Sequence, residues 1–344
     1  MSERTLEQIC DLIQADVGNR GLRTDPVANL ITATAGDFPA ACRSLAETAD
    51  AAVVIVTGFY IPHAQPPCGE TDGPLGALFL ARAFTQLGIR AILATDAFCI
   101  RALSAGLEAC ELEMHVPLIM LSPGKGLAVR YWRALIARIA SMPFHLTHLL
   151  ALERVGPSHT VASIRAQYGA DEGTVDEFIR EVPPEHHDRC HTMLGRDITA
   201  AMSPAHLLFE SPPHQTPAIT TIGIGDGGNE IGMGNIPWNL IRRNIPNGGI
   251  VACRVPTDHL IVAGVSNWGA CGLAAGTALL RGHKLGRAFF DVEGERELLR
   301  AMVEQGPLVD GVTGQPTVTV DGLSFERYAE PLRRIGELVE SGVS

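Results

Sequence analysis

Short apolar runs recur along the chain, each followed by a loop marked with glycine or proline and then by apolar residues at helical spacing. Residues 53–57, "VVIVT", form an unbroken run of strand length and predict a strand buried on both faces. A polar, proline-rich loop follows from Gly58 to Gly73. Pro74 then opens a helix, because proline suits the first helical position. Leu75, Leu78, Phe79, Arg82 and Leu87 keep helical spacing, and Gly88 ends it. Residues 89–95 are the next strand, ending at Asp96. The pattern repeats with a strand at 116–121, a glycine-rich turn "SPGKG", a helix at 127–140 and a strand at 147–152 that ends at Glu153 and Arg154. From about 156 to 213 it weakens into helical pieces rich in His and Pro, which read as an insertion or cap over the sheet. Strands return at 219–224, 250–255 and 260–265, with a helix at 236–244. "SNWG" leads into a small-residue helix ending near Arg281, and the mostly helical tail holds a short strand at 317–320. Alternating strands and helices predict an α/β fold: a mainly parallel sheet flanked by helices in a Rossmann-like three-layer arrangement. The chain is read as one domain over 1–344 with its less regular cap at 156–213.

Composition narrows the partner more than the fold. Against 38 acidic residues stand 27 basic ones, a net charge of −11, and all the basic residues but Lys125 and Lys284 are arginines spread along the chain. No basic block is present to neutralise phosphates, so a nucleic-acid partner is not expected and a small amino acid or carboxylate is. The eight cysteines form no CxxC pair and read as core fillers in a reducing compartment. "MSERTLEQIC" lacks the pattern of a secretory signal, and no apolar run reaches the roughly 18 residues of a membrane span. A cytoplasmic protein with no membrane partner is the expectation.

Ligands of parallel sheets bind beyond the carboxyl ends of the strands. The loops expected there carry the chemistry: "TGFYIPHAQPPCGETDGPLG", "TDAF", "SPGKG", "ERVG", "GDGGNEIGMG" and "SNWG". In the first, Asp72 or Thr71 suits a cap for the helix that follows at Pro74, while Glu70 with Asp72 suits a metal ion or an ammonium group. In "IGDGGNEIGMG", Gly223, Gly225 and Gly228 match GxGxxG, yet no acid follows at the spacing that binds a ribose, and Asp226 would repel a pyrophosphate. The loop therefore suits a cation, a substrate ammonium, or proton transfer by Asp226 or Glu230; a purely structural glycine turn is the alternative. Lys125 does not sit in a P-loop pattern but could pair with a substrate carboxylate at a helix N-terminus. Arg154 offers a bidentate carboxylate clamp or a structural ion pair. "HHDRCH", His186 to His191, is tempting for zinc, but no second Cys/His pair accompanies it and three crowded imidazoles cannot all face one ion. No Gly-x-Ser-x-Gly elbow occurs, which disfavours covalent hydrolysis.

Four blocks in this order and spacing, "ETDGPLGALFLARAF", "LLALERVG", "GIGDGGNEIGMGNI" and "VAGVSNWGACGLAAG", resemble the D-glutamate cyclase-like C-terminal domain family, which includes unassigned bacterial proteins. The resemblance runs from about Ile9 to Leu280. It implies an α/β fold and cyclisation of D-glutamate to 5-oxo-D-proline with loss of water. One segment departs: where members often carry a Tyr-His-Asn-Met-Arg-Gly-like run, this chain has "CHTMLGRDI", with Thr192 and Leu194 replacing polar and cationic groups. For that reaction Asp226, Glu230 and Asp72 are the expected catalytic acids, because they occupy loops expected at one sheet edge. Arg154, Lys125 and the amides of Ser266 and Asn267 are expected on substrate carboxylate. Thr71, Gly73, Gly227 and Gly228 line the substrate, and Asn229 and Asn267 serve as oxyanion donors. No organic cofactor is expected; a divalent cation, Mg2+ or Mn2+, on Glu70, Asp72 and Asp226 would polarise the γ-carboxylate. A non-catalytic binding domain for a small amino acid or carboxylate, and another lyase or isomerase of a small amino or hydroxy acid, are the competing classes. "LAAGTALL" presents a small-residue face fit either for a homo-oligomer contact or for packing inside the monomer.

Overall fold

The computed structural model describes residues 2–121, 144–167, 169–212, 218–283 and 285–342. The "SPGKG" turn with Lys125 and the helix expected at 127–140 lie outside the described residues. The strands are β1 (Ala52–Thr57), β2 (Tyr60–Ile61), β3 (Cys68–Glu70), β4 (Arg90–Asp96), β5 (Leu118–Leu121), β6 (His148–Leu152), β7 (Thr220–Gly225), β8 (His259–Val262), β9 (Leu308–Val309), β10 (Thr319–Val320) and β11 (Leu323–Ser324). Six of them form one parallel sheet in the order β5-β4-β1-β6-β7-β8. Counted along the chain that order is 3-2-1-4-5-6, the doubly wound arrangement, whose topological switch point falls between β1 and β6.

Alternation along each strand sends successive side chains into two separate cores. Val53, Ile55, Leu93, Leu150, Leu152, Ile222 and Ile224 join the core beneath the helices Asp37–Glu47, Pro74–Gln86 and Ser266–Leu280. Val54, Val56, Ile92, Leu149, Ala151 and Val262 join the other, with Trp238, Ile164, Phe178 and Leu208. The segment from 156 to 213 thus forms much of the second outer layer, through the helices Val161–Ala166, Glu172–Glu181 and His206–Glu210. The architecture is a three-layer α/β fold with that segment as a helical cover on one face. A third, smaller cluster sits beyond the carboxyl edge and joins Phe59, Ile61, Cys68, Val155, Cys190, Ile198 and Val309.

The helix Ser266–Leu280 is buried along nearly its whole length. A Cβ added at Gly276 would lie 2.5 Å from Cys42 Sγ, and one at Gly272 would lie 2.9 Å from Ile13. Its small-residue face is therefore covered by the chain's own N-terminal helices rather than left for a second copy.

Two expected elements differ. Residues 250–255 are not a strand: Asn247, in the left-handed region at φ 58°, starts the short helix Gly248–Val251. Ala252, Cys253 and Val255 just beyond it join the second core, and the backbone there turns aside, with Cys253 N donating to Gly228 O and Arg254 N to Pro157 O. The loop 58–73 contains β2 and β3, and β3 pairs parallel with β9 from the distant tail. Strands of two or three residues carry too little apolar alternation to stand out in a sequence.

Candidate active site

At the switch point the loops after β1 and β8 lock each other. Asp72 accepts the backbone N–H groups of Ser266 (2.9 Å) and Asn267 (2.8 Å), capping the helix Ser266–Leu280 from outside. Asn267 Oδ1 accepts from Gly73 N (2.8 Å) and Gly76 N (2.7 Å), capping the helix Pro74–Gln86 in return. Each helix thus supplies the side chain, or its immediate neighbour, that satisfies the orphan donors of the other. Gly73 has φ 89°, and a Cβ there would meet Thr57 Oγ1 at 2.7 Å and Glu153 Cβ at 2.8 Å, so three loop ends converge on bare backbone. Ser266 Oγ donates to Glu153 Oε2 at 2.6 Å. Thr71 ties the assembly to the tail, its N–H donating to Val309 O and its hydroxyl to Thr319 O.

The glycine-rich loop after β7 folds around one of its own acids. Glu230 accepts N–H from Asp226 (2.9 Å), Gly227 (2.6 Å) and Gly228 (2.7 Å). A Cβ on Gly225 would lie 2.8 Å from Glu230 Cδ, and Gly228 stands at φ 101°. The amide nest that would cradle a phosphate is filled by the chain's own carboxylate, which accounts for the glycines without a dinucleotide. Asp226 is the opposite case. It is 1% exposed, neither oxygen makes a hydrogen bond among the described residues, and its ion pair is with Arg20 at 3.1 Å.

Arg20 reaches this place from the segment after the N-terminal helix Ser2–Ile13, where Asp16 accepts the N–H groups of Arg20, Gly21 and Leu22 and fixes the turn. Its second arm pairs with Asp321 at 2.6 Å. Asp321 stands at φ 55° in the turn between β10 and β11, and Asp310 steadies that turn by accepting Gly322 N at 2.8 Å. Asp321 Oδ2 has no hydrogen-bond partner among the described residues. Beside this clasp opens a cavity of about 520 Å³. Arg20, Glu70, Glu153 and Asp321 line it together with Phe59, Ile61, Met193, Leu194 and Val312. Thr192 and Leu194, the residues of the departing segment, lie in its wall. Asp226 and Asp72 stand behind this lining rather than in it.

Burial and mutual repulsion shape the acids. Burial, then Asp321 and Asp72, hold the Glu70 carboxyl well above the usual range. Burial, then Glu230 and Asp72, do the same for Glu153. Asp226 is raised by burial despite the pull of Arg20, and Asp72 is pushed up to about 8 by burial and Asp321 against the amides of Asn267 and Ser266. Burial works against the charge of Arg20, but Asp226, Asp321, Glu153 and Asp72 more than restore it, so the guanidinium stays protonated. Two sets of carboxylate oxygens lie within 4.8 Å of one another, Asp72–Asp226–Asp321 and Glu153–Asp226–Glu230. Glu70, expected beside Asp72 and Asp226, belongs to neither set, and Asp321 takes that place.

The remaining expected residues are dispersed. Arg154 is wholly buried: its guanidinium binds Asp96, Gly58 O at 3.1 Å and Ser203 O at 2.9 Å, while Asp96 also accepts Ser203 N at 2.7 Å. The reason is topological, since Asp96 ends β4 beside the end of β1 and Arg154 is the nearest counter-charge for it. The amides of Ser266 and Asn267 face Asp72. The Asn229 and Asn267 side-chain NH2 groups donate to His191 O and Thr71 O. His186 Nδ1 and His191 Nε2 are 3.1 Å apart, but His187 turns away to Val182 O, so the three imidazoles do not converge. Arg20 and Asp321 carry no local motif; they meet only because the N-terminal segment and the β10–β11 turn close on the sheet edge from opposite ends of the chain.

Fold and site together define a doubly wound α/β protein with an acid-lined cavity, clasped by one arginine, at its topological switch point. The chain belongs to the family described as D-glutamate cyclase-like, C-terminal, whose profile matches residues 9–171 and 178–336. It is similar to the human protein "D-glutamate cyclase, mitochondrial", at 26% identity over 368 aligned residues that cover 99% of this chain and 53% of that protein. The chain thus spans about half the length of that relative. Among the described residues no helix is long and apolar enough to cross a membrane.

Proposed function

We propose that the chain is a D-glutamate cyclase-like lyase that closes D-glutamate to 5-oxo-D-proline with loss of water. The observation that carries this reading is the set of buried carboxyls around the Arg20 clasp, in a cavity at the switch point of a chain of this family. Cyclisation removes two protons from the substrate ammonium, one before attack and one as the tetrahedral intermediate collapses, joins that nitrogen to the γ-carboxyl carbon, and delivers two protons to the carboxyl oxygen that leaves as water. Arg20 holds the α-carboxylate, and Asp226 behind it fixes the guanidinium as a positioning residue. The free Oδ2 of Asp321 accepts from the ammonium. Carboxyls this close do not all ionise together, so at neutral pH the set holds donors and acceptors at once. Asp321, already facing the ammonium, takes a proton from it, and Glu70 or Glu153, both kept protonated by burial, delivers one to the departing oxygen. Holding both ends of a flexible chain within bonding distance supplies a further share of the barrier.

The residues also fit a divalent cation. Asp226 contributes a buried oxygen beyond the one that faces Arg20, Asp321 its Oδ2 in place of the ammonium contact, and hard oxygen donors suit Mg2+ or Mn2+. Asp72, Asp226 and Asp321 would hold it, and it would supply polarisation of the γ-carboxylate.

NMR of the purified protein with D- and L-glutamate, with and without Mg2+ or Mn2+, tests the reading. Appearance of 5-oxoproline from the D isomer supports it. Saturable ligand shifts without product would replace it with a binding domain for small amino acids. Full activity after chelation, in protein free of metal by elemental analysis, would remove the cation.

A further inference from the structure

Free glutamate is a poor match for part of this cavity. It offers two methylenes between charged ends, whereas the cavity of about 520 Å³ is lined by Phe59, Ile61, Met193, Leu194 and Val312 as well as by its polar groups. Leu194 is 84% exposed and Val312 63% exposed, so two large apolar side chains on this one cavity stand in solvent. Apolar surface gathered at a polar site marks where an apolar part of a ligand lies. Charge points the same way. The guanidinium within the cavity, Arg20, already serves Asp226 and Asp321. The other arginine on the cavity, Arg196, is exposed and donates to Pro62 O. A second substrate carboxylate would enter beside Asp321, and the lining offers it no further buried cation, since Arg196 and His63 are both exposed.

We propose that the preferred substrate of this site is a D-glutamate γ-amide of an apolar amine, cyclised with release of that amine; this rests on the cyclase reading above. Its γ-carbonyl carries no charge, and its α-carboxylate remains for Arg20. The substrate nitrogen attacks the γ-carbonyl carbon, the lactam C–N bond forms, and the original amide C–N bond breaks. The proton lost by the attacking nitrogen is balanced by one delivered to the departing amine, with Glu70 placed to give it. Water is neither consumed nor formed, and no oxidant or reductant enters. The amine's apolar body then covers Leu194 and Val312.

D-γ-glutamyl-p-nitroanilide and D-γ-glutamyl benzylamide, compared with D-glutamate, provide the test, with released amine followed optically or by chromatography and 5-oxoproline by NMR. The expected kcat/KM for the amides exceeds that for D-glutamate at least tenfold, in the range that one apolar contact confers (about 10–200-fold). A Leu194→Ser, Val312→Ser double variant should shrink that ratio about tenfold. Both positions are exposed, and thermal melting checks that the variant folds. Equal or faster turnover of free D-glutamate, an unchanged ratio in the folded variant, or formation of glutamate in place of 5-oxoproline overturns the inference while leaving the cyclase reading standing. Absence of 5-oxoproline from every compound overturns both.

Discussion

Asp226 and Glu230 lie four positions apart in one loop, both buried, and their surroundings divide their work. Three backbone N–H groups converge on the two oxygens of Glu230, and none reaches those of Asp226. Glutamine at 230 would keep one acceptor and turn an NH2 group towards an N–H donor. Glu230→Gln is therefore expected to lower stability by roughly 1–3 kcal/mol, the cost of leaving a buried donor unmatched. A urea midpoint equal to that of the unaltered protein would show that the loop holds its shape without this carboxylate. Asp226→Asn leaves the loop amides satisfied, so its expected cost in the midpoint is confined to the Arg20 pair that it weakens. Its effect should fall on Arg20: KM for D-glutamate rises about tenfold or more, as loss of a charge-assisted contact implies, while kcat changes less. Fluorescence or calorimetric folding data beside the kinetics separate the two outcomes, and a fall in kcat alone would move Asp226 from positioning into proton transfer.

The elements meet through side chains that serve a neighbouring helix rather than their own. Asn267 sits in the first turn of its helix, yet its Oδ1 caps the helix Pro74–Gln86. Asn267→Ala would strand two buried N–H groups, Gly73 and Gly76, and is expected to cost at least about 2 kcal/mol in chemical denaturation. A cost below about 0.5 kcal/mol, the size of an ordinary surface substitution, would mean these helix ends find other partners. This reciprocity also marks how far sequence reading reaches. The six strands of the main sheet were legible because runs such as "VVIVT" and "HLLAL" are apolar on both faces, and the loops that carry Asp72, Glu153, Asp226 and Ser266 leave the carboxyl side of that sheet. Asp72 is expected to cap the helix that follows it, but it caps instead a helix that begins 194 residues later, a pairing no local spacing encodes. The short helix at 248–251 and strands β2, β3 and β9 escaped because each is too short for its periodicity to show. Arg20 escaped for a stronger reason: among arginines without a motif, only the folded chain selects the one that reaches Asp226 and Asp321.

Across the whole molecule two populations of buried groups oppose each other on titration. Asp72, raised to about 8 from an ordinary 3.8, binds a proton in the folded chain that the unfolded chain has released, and Glu70, Glu153 and Asp226 are shifted in the same direction. Their contribution is fully present at low pH and is lost as pH rises through the folded values. The histidines act the other way. His148 is lowered to about 4, His159 to about 3 and His191 to about 4, chiefly by burial, so their contribution is present above 6.5 and is lost as pH falls towards those values. Above pH 6.5 only the carboxyl slope remains. Stability should fall between pH 6.5 and 8, by about 1.4 kcal/mol per pH unit for each proton held in excess by the folded state. On the acid side, the buried His148 in β6 should by itself remove about 3 kcal/mol between pH 6.5 and 4. Urea denaturation of the unaltered protein and of His148→Gln across pH 4–8 isolates that share: the difference between their stabilities should shrink as pH falls and stay constant above 7. Because a bound cation or substrate ammonium favours the ionised carboxyls, the ligand that belongs in the clasp should raise the midpoint more at pH 8 than at pH 6. A ligand that stabilises equally at both values binds somewhere other than these acids.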